Sequence, residues 1–190
     1  KLARPTTQER QRAVQLRPYI AQADWLLDLH SMHEPGEALL LTGLLARNLA
    51  LARQLGAPKH IVVDAGHQDG VRMRDYGHFG SDSATDSCAL LVECGFHGDT
   101  SSRDVAVDMA ARFLALSGCV ELGHMSKDWL QPLPQKQIAV KVTDAVVAQT
   151  EDLRFEQSWQ GLQSIPRAGT VLARDGQVVY TTPYDDCVLV

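Results

Sequence analysis

Hydrophobic residues recur at two spacings in the first part of the chain, first every three or four residues and then every second residue. The helical spacing is carried by four apolar residues: Ala13, Leu16, Ile20 and Ala23. It predicts a helix that begins at the capping-box sequence Thr6–Glu9 and that Pro18 kinks or divides. The spacing of two then predicts a strand that places Asp28 and His30 on the same face.

Downstream, strand and helix patterns continue to alternate. We expect strands over residues 39–41, 60–64 and 88–93, and helices over residues 44–55 and from Thr100 or Ser101 onward. The strand over residues 88–93 is a continuous apolar run, which is typical of a strand buried on both faces of a parallel sheet. The helix after it is expected to have a buried stripe formed by Val105, Met109, Phe113 and Leu116. Its exposed stripe is expected to be formed by Asp104, Asp108 and Arg112. Strands that alternate with helices predict an α/β fold.

The pattern changes after about residue 120, which predicts two domains. An α/β domain over residues 1–120 is followed by a proline-containing linker over residues 121–136. Residues 137–190 contain only strand patterns and are predicted to form a small all-β domain. Its clearest element is a hairpin with Asp175-Gly176 as the turn. The chain begins without an initiator Met and ends within an apolar run, so we expect both domains to be incomplete.

Charge and composition exclude several classes of partner. The chain has a net charge of −5 and a pI near 5.8, so no basic excess is present to neutralise nucleic acid or an anionic membrane. Its apolar runs are far shorter than the roughly 20 residues of a membrane-spanning helix. The cysteines lack the paired spacing of a zinc knuckle: Cys88, Cys94, Cys119 and Cys187. We expect free thiols and a cytoplasmic location.

Two predicted strand ends carry side chains suited to catalysis. His30 lies at the carboxyl end of its strand, where open α/β sheets bind ligands, and Asp28 on the same face can orient a metal-bound imidazole. The alternative for His30 is a hydrogen-bonded structural role. Glu93 ends a buried strand, where a partly desolvated carboxylate suits a general base. The alternative for Glu93 is capping of the next helix or an ion pair with it.

A loop of about twenty residues lies between these strands, and loops of this length in compact domains are often functional. Arg72 and Arg74 are its candidates for binding a substrate carboxylate, because a guanidinium presents a matching fork of donors. The alternative is that both are surface arginines paired with neighbouring carboxylates. Weaker candidates for metal ligands are His67, Asp69 and His78. The favoured interpretation is that these three residues belong to a solvated loop and bind no metal. His33 is interpreted as a loop residue near the site.

The segments Asp28–Ser31 and Ala89–His97 together resemble the succinylglutamate desuccinylase/aspartoacylase family of the zinc-carboxypeptidase-like superfamily. The resemblance extends through Leu49–Pro58 and into residues 168–173 and 182–189. It implies a mixed, mostly parallel sheet flanked by helices, followed by a small β domain. It also implies a deacylase that cleaves the amide bond of a small N-acyl amino acid or a related acyl compound.

The same resemblance implies one Zn²⁺ per chain in the complete protein, with His30 as one of three ligands and Glu93 as the base for a zinc-bound water. In the family the other two ligands come from a His-x-x-Glu motif. That motif is absent from these 190 residues, and we expect it upstream of Lys1. The implied partner is a small acylated substrate, and a homo-oligomer is left open. The alternatives are a carboxypeptidase acting on peptides and a non-catalytic binding protein without a working zinc site.

Overall fold

The computed structural model describes residues 7–66, 70–82 and 86–190. Within these residues, three α-helices are present: α1 (Gln8–Gln22), α2 (Ala46–Leu55) and α3 (Ser101–Leu116). Five strands form the large sheet: β1 (Trp25–Met32), β2 (Leu39–Leu41), β3 (His60–Val63), β4 (Cys88–Phe96) and β5 (Ile138–Lys141). The other strands are short: β6 (Arg154–Phe155), β7 (Ser164–Ile165), β8 (Val171–Asp175), β9 (Val178–Thr181) and β10 (Cys187–Val188). No helix in the described ranges is long and apolar enough to cross a membrane.

The large sheet is mixed and mostly parallel, as predicted. Its strand order is β1-β4-β2-β3-β5, and only the β2–β4 pair is antiparallel. Strand β4 lies between two neighbours and is buried along almost its whole length, which explains its continuous apolar sequence. The sheet therefore brings the carboxyl ends of β1 and β4 together at one edge, where the candidate site lies.

Different elements cover the two faces of the sheet. Helices α2 and α3 pack on one face over a core that includes Leu40, Ile61 and Leu90, all of them fully buried. A smaller cluster on the other face joins β1 and β4 to Phe79 and to Ile20 at the end of α1. Because successive strand residues point to opposite faces, Leu26 packs in the second cluster and Leu27 in the first.

The helix α1 is present where the hydrophobic spacing predicts it. It is one helix that includes Pro18, with Thr7 as its N-cap, whose side chain accepts from the N–H of Arg10. No residue within it is buried, and Val14 and Leu16 are exposed. Only Ile20 and the following Ala23 pack partly against the sheet.

The polar stripe predicted for α3 is wrong at Asp108, which is only 2% exposed. Its carboxylate accepts from Arg112 Nε at 2.8 Å and from the backbone N–H of Gln131 at 2.9 Å. Arg112 also donates to the carbonyl of Gln131. The segment predicted as a linker thus packs along α3 and buries this ion pair. At the apolar positions, Met109 is buried as expected and Leu116 is 39% exposed.

The C-terminal strands differ from the prediction at two points. Ile138–Lys141, placed by the sequence in the β domain, instead extends the large sheet by pairing with β3. The β8–β9 hairpin is present, but its turn is Gly176-Gln177 rather than Asp175-Gly176, because Asp175 pairs with Val178. Gly176 has φ 60°, the left-handed conformation that glycine adopts without strain. The Asp175 carboxylate accepts from Thr150 and from the N–H of Gln149, which keeps this residue within the strand.

Candidate active site

His30 and Glu93 lie side by side at the carboxyl ends of β1 and β4. They are direct partners in the parallel ladder between these strands. The Nε2 atom of His30 lies 3.1 Å from Oδ1 of Asp28, as expected for two residues on the same strand face. The Nδ1 atom of His30 makes no hydrogen bond with the described residues, and the side chain is 48% exposed. The pair resembles the carboxylate–imidazole arrangement that orients metal-binding histidines.

The carboxylate of Glu93 has a buried oxygen, Oε2, without a hydrogen-bond partner among the described residues. The residue is paired on both sides, with His30 in β1 and with Leu39 in β2, so its backbone is fixed by two ladders. An unsatisfied buried oxygen costs about 1–3 kcal/mol, and such atoms are uncommon in folded proteins. A carboxylate held at this cost is a candidate for a chemical role.

One cavity of about 240 Å³ connects these residues. Its lining includes four of the five predicted site residues: Asp28, His30, Arg72 and Glu93. Three apolar side chains complete it: Leu41, Met73 and Leu91. The cavity combines apolar walls with a few convergent polar groups, which is the usual composition of a small-molecule site.

The two predicted substrate arginines have different environments. Arg72 lines the cavity, and its Nη1 lies 2.5 Å from Oδ2 of Asp64. Arg74 is fully buried and bonds the other oxygen of Asp64, again at 2.5 Å. A side chain with no exposed surface cannot reach a substrate, so the prediction for Arg74 is corrected. Asp75 lies beside Arg74; burial raises the pKa of this carboxyl, and the charge of Arg74 opposes the rise.

The remaining histidines form a separate arrangement. His97 Nε2 lies 3.1 Å from His33 Nδ1, and His97 Nδ1 lies 3.0 Å from Ser31 Oγ. Sequence reasoning did not pair them because 64 residues separate the two histidines and no periodic pattern connects them. His78 donates from Nε2 to the carbonyl of Ala23, which makes it a structural residue. The other two weaker metal candidates, His67 and Asp69, fall outside the described residues.

Cys94 follows Glu93 in sequence but belongs to the core. Its side chain is in the cluster under α2 and α3, on the face away from the cavity. Burial, together with the nearby charge of Glu93, raises the pKa of Cys94 to about 11. The thiol therefore stays protonated and is not a competing nucleophile.

A second cavity, of about 300 Å³, lies among the C-terminal strands. Trp159, Ile165 and Arg167 are among its lining residues, together with glutamine and hydroxyl side chains. None of its lining residues is an acid or a histidine. The smaller cavity, which holds the paired Asp28 and His30 with Glu93, is therefore the candidate for catalysis.

Comparison with known proteins identifies the fold. No protein-family model and no curated protein matches the sequence. The chain is similar in structure to a succinylglutamate desuccinylase from Vibrio parahaemolyticus, with a TM-score of 0.65, 16% identity, and coverage of 97% of this chain and 56% of that one. It is also similar to the apo ectoine utilization protein EutE (DoeB) from Ruegeria pomeroyi, with a TM-score of 0.62, 18% identity, and coverage of 99% and 66%.

A third similar structure is a succinylglutamate desuccinylase/aspartoacylase from Rhodobacter sphaeroides, with a TM-score of 0.59, 15% identity, and coverage of 99% and 64%. The chain thus spans about two thirds or less of the length of these proteins. The resemblance predicted from the strand-end motifs is confirmed at the level of the fold.

Proposed function

We propose that this chain carries part of the active site of a metal-dependent deacylase, which hydrolyses the amide bond of a small N-acyl amino acid or a related acyl compound. The observation that carries the proposal is the buried, unpartnered Oε2 of Glu93 in one cavity with the Asp28–His30 pair. The fold shared with proteins named succinylglutamate desuccinylase supports the same kind of chemistry.

Glu93 is the proposed general base. It would take a proton from the attacking water and deliver it to the leaving amine, as a positioned carboxylate does in hydrolysis. Its place in the ladder supports this role, because two neighbouring strands hold its backbone and its free oxygen has no competing donor among the described residues.

His30 is the proposed zinc ligand. The contact with Asp28 engages Nε2, so that Nδ1 can carry the lone pair that a metal requires. When bound, zinc supplies a Lewis acid that polarises an acyl carbonyl. A single protein ligand is too few to hold zinc. The described residues contain no group of three His, Cys, Asp or Glu side chains placed to hold a metal, so the proposal needs ligands that they do not provide.

Arg72 is the proposed contact for a substrate carboxylate. It lines the cavity and already bonds Asp64, and a guanidinium with five N–H donors can bond more than one acceptor. The Asp64 pair also holds the side chain in place before substrate arrives, which lowers the entropy lost on binding. The cavity has a volume of about 240 Å³, which accommodates a small acyl compound.

A second candidate function is binding without catalysis. The absence of three metal-ligating side chains in the described part of the chain favours it. The two candidates differ in the zinc that depends on His30, because a deacylase of natural length binds one zinc through this residue and a binding protein does not.

The test compares Glu93→Gln with Glu121→Gln, whose side chain is 83% exposed, in the protein at its natural length. Glu93→Gln is expected to lower the turnover of N-succinyl and N-acetyl amino acids at least about 100-fold while zinc content is unchanged. Glu121→Gln is expected to match the parent in both measurements.

His30→Ala is the companion variant, and it is expected to lower the zinc content by one ion per chain. Undiminished hydrolysis by Glu93→Gln would contradict the role of the base. An unchanged zinc content in His30→Ala would show that the ligand is wrong. A natural-length protein without turnover, whose zinc content does not depend on His30, would favour the binding function.

A further inference from the structure

His33 and His97, called here the histidine pair, face each other nitrogen to nitrogen. His33 Nδ1 and His97 Nε2 are 3.1 Å apart, and the ring planes meet at 84°. Both side chains are exposed, so no burial forces them together. Two imidazole nitrogens at this distance share a single proton or a single metal ion, because two lone pairs alone repel each other.

The histidine pair is separate from the cavity of the proposed active site. Neither histidine lines that cavity, whereas His30 does. Ser31, which contacts His97, directly follows His30, at the point where the ladder between β1 and β4 shifts its register. His33 and His97 each follow directly after the last residue of a strand, β1 and β4 respectively.

The distance between the two nitrogens fits coordination of one ion. Two histidine nitrogens bound to zinc at 2.0–2.1 Å in tetrahedral geometry lie about 3.3 Å apart. The observed 3.1 Å requires a change of only a few tenths of an ångström, which exposed side chains can make. An ion can then replace the shared proton without a change in the backbone of β1 or β4.

Ser31 supports the same assignment. Its Oγ lies 3.0 Å from His97 Nδ1, where it can accept the N–H of that nitrogen. When Ser31 accepts in this way, Nε2 of His97 carries the lone pair directed at His33. Metal-binding histidines typically donate their second N–H to an oxygen in this way.

We infer that the histidine pair is a surface site for one divalent transition-metal ion of the zinc class. His33 Nδ1 and His97 Nε2 are its protein ligands, and Ser31 is a positioning residue. Imidazole nitrogens suit Zn²⁺, Ni²⁺ and Cu²⁺. The described residues offer no third ligand of the His, Cys, Asp or Glu type, so water completes the coordination and the site remains open. This site is independent of the proposed deacylase chemistry.

The experiment titrates Zn²⁺ into the 190-residue chain carrying His30→Gln, which removes the ligand proposed for the other site. Calorimetry measures the affinity. Adding His33→Gln or His97→Gln is expected to lower it at least about tenfold. Ser31→Ala is expected to lower it by a smaller factor than either histidine replacement. The matched control is His124→Gln, because His124 is 74% exposed and lies 3.8 Å from Glu121, and this variant is expected to bind like the parent.

Nitrogen NMR of the imidazoles is the second readout, in which His33 Nδ1 and His97 Nε2 are expected to shift when zinc is added. Failure of the His30→Gln parent to bind zinc at millimolar concentration would overturn the inference. Equal affinity in the parent and in His33→Gln would also overturn it. Neither result bears on the role of His30 or Glu93, which is tested in the protein of natural length.

Discussion

The large sheet and the C-terminal strands of this protein are stabilised in different ways. In the sheet, apolar side chains that are completely buried form a continuous core: Leu40, Ile61, Leu90 and Val92. From residue 142 onward, only three apolar residues are buried: Ile165, Ala173 and Cys187. Two buried polar side chains, Asp175 and Thr182, make hydrogen bonds to the backbone there.

This contrast shows that one chain can order its strands by two physical means. Burial of apolar surface stabilises the sheet in proportion to the area removed from water. In the C-terminal strands, side chains also bond to backbone groups outside the strand ladders; the carboxylate of Asp175, for example, accepts from the N–H of Gln149. Measurements of the free energy of unfolding on matched variants test this difference between the sheet and the C-terminal strands.

The largest expected effect is in the sheet, at Leu90. Leu90→Ala removes a fully buried side chain at the centre of β4 and is expected to lower the free energy of unfolding by about 2–5 kcal/mol. Denaturant unfolding measures the change. The control is Val147→Ala, since Val147 is 74% exposed and its loss is expected to cost less than about 0.5 kcal/mol. A Leu90→Ala cost similar to that of the control would contradict an apolar core for the sheet.

A smaller effect is expected at Thr182, in the C-terminal strands. Its Oγ1 donates to the carbonyl of Arg167 at 2.7 Å and accepts from the N–H of Thr170 at 3.0 Å. Thr182→Val keeps the shape of the side chain and leaves the N–H of Thr170 without its partner, whereas the carbonyl of Arg167 keeps its bond from Thr170 Oγ1. The change is expected to cost about 1–3 kcal/mol. Thr181→Val is the matched control because the neighbouring Thr181 is exposed. Equal stability of the two variants would contradict the stabilisation of the C-terminal strands by buried hydrogen bonds.

The smallest expected effect is a dependence of sheet stability on pH through His60. This residue begins β3 and is 7% exposed, and its Nδ1 lies 3.1 Å from Glu37 Oε2 without hydrogen-bond geometry. Burial lowers the pKa of His60, and the charge of Glu37 only partly opposes this. The folded state thus favours neutral His60, so its stability is full above the unfolded pKa near 6.5 and falls as pH drops toward the lower folded pKa.

His60→Gln is expected to flatten the dependence of unfolding free energy on pH between about 7 and 5. The control His124→Gln changes an exposed histidine and is expected to leave that slope as it is. A slope that persists unchanged in His60→Gln would show that other groups cause it.

Local patterns predicted the order of strands and helices and placed Asp28, His30 and Glu93 at strand ends, but not that these strands are neighbours in the sheet. These features depend on residues close in sequence, namely the spacing of apolar residues and the capping and turn residues between them. The position of Asp175-Gly176 was wrong by one residue because a turn pattern cannot report that Thr150 binds the aspartate.

Other features depend on contacts that no local pattern contains. The burial of Asp108 follows from Gln131, which lies 23 residues downstream. The burial of Arg74 follows from its bond with Asp64, and the edge position of Ile138 follows from its pairing with His60. In each case the environment is set by tertiary packing, which overrides local polarity and propensity.

The ladder pairing of His30 with Glu93 separates the spacing of the candidate site from the shape of its surroundings. Backbone hydrogen bonds between β1 and β4 fix the spacing of these two residues at the interstrand distance of about 4.8 Å. Arg72 lies on a loop where Val71 and Tyr76 are exposed, whereas Phe79 on the same loop packs against β1 and β4. A library of variants confined to Val71 and Tyr76 therefore samples new ligand shapes around a centre whose dimensions stay constant.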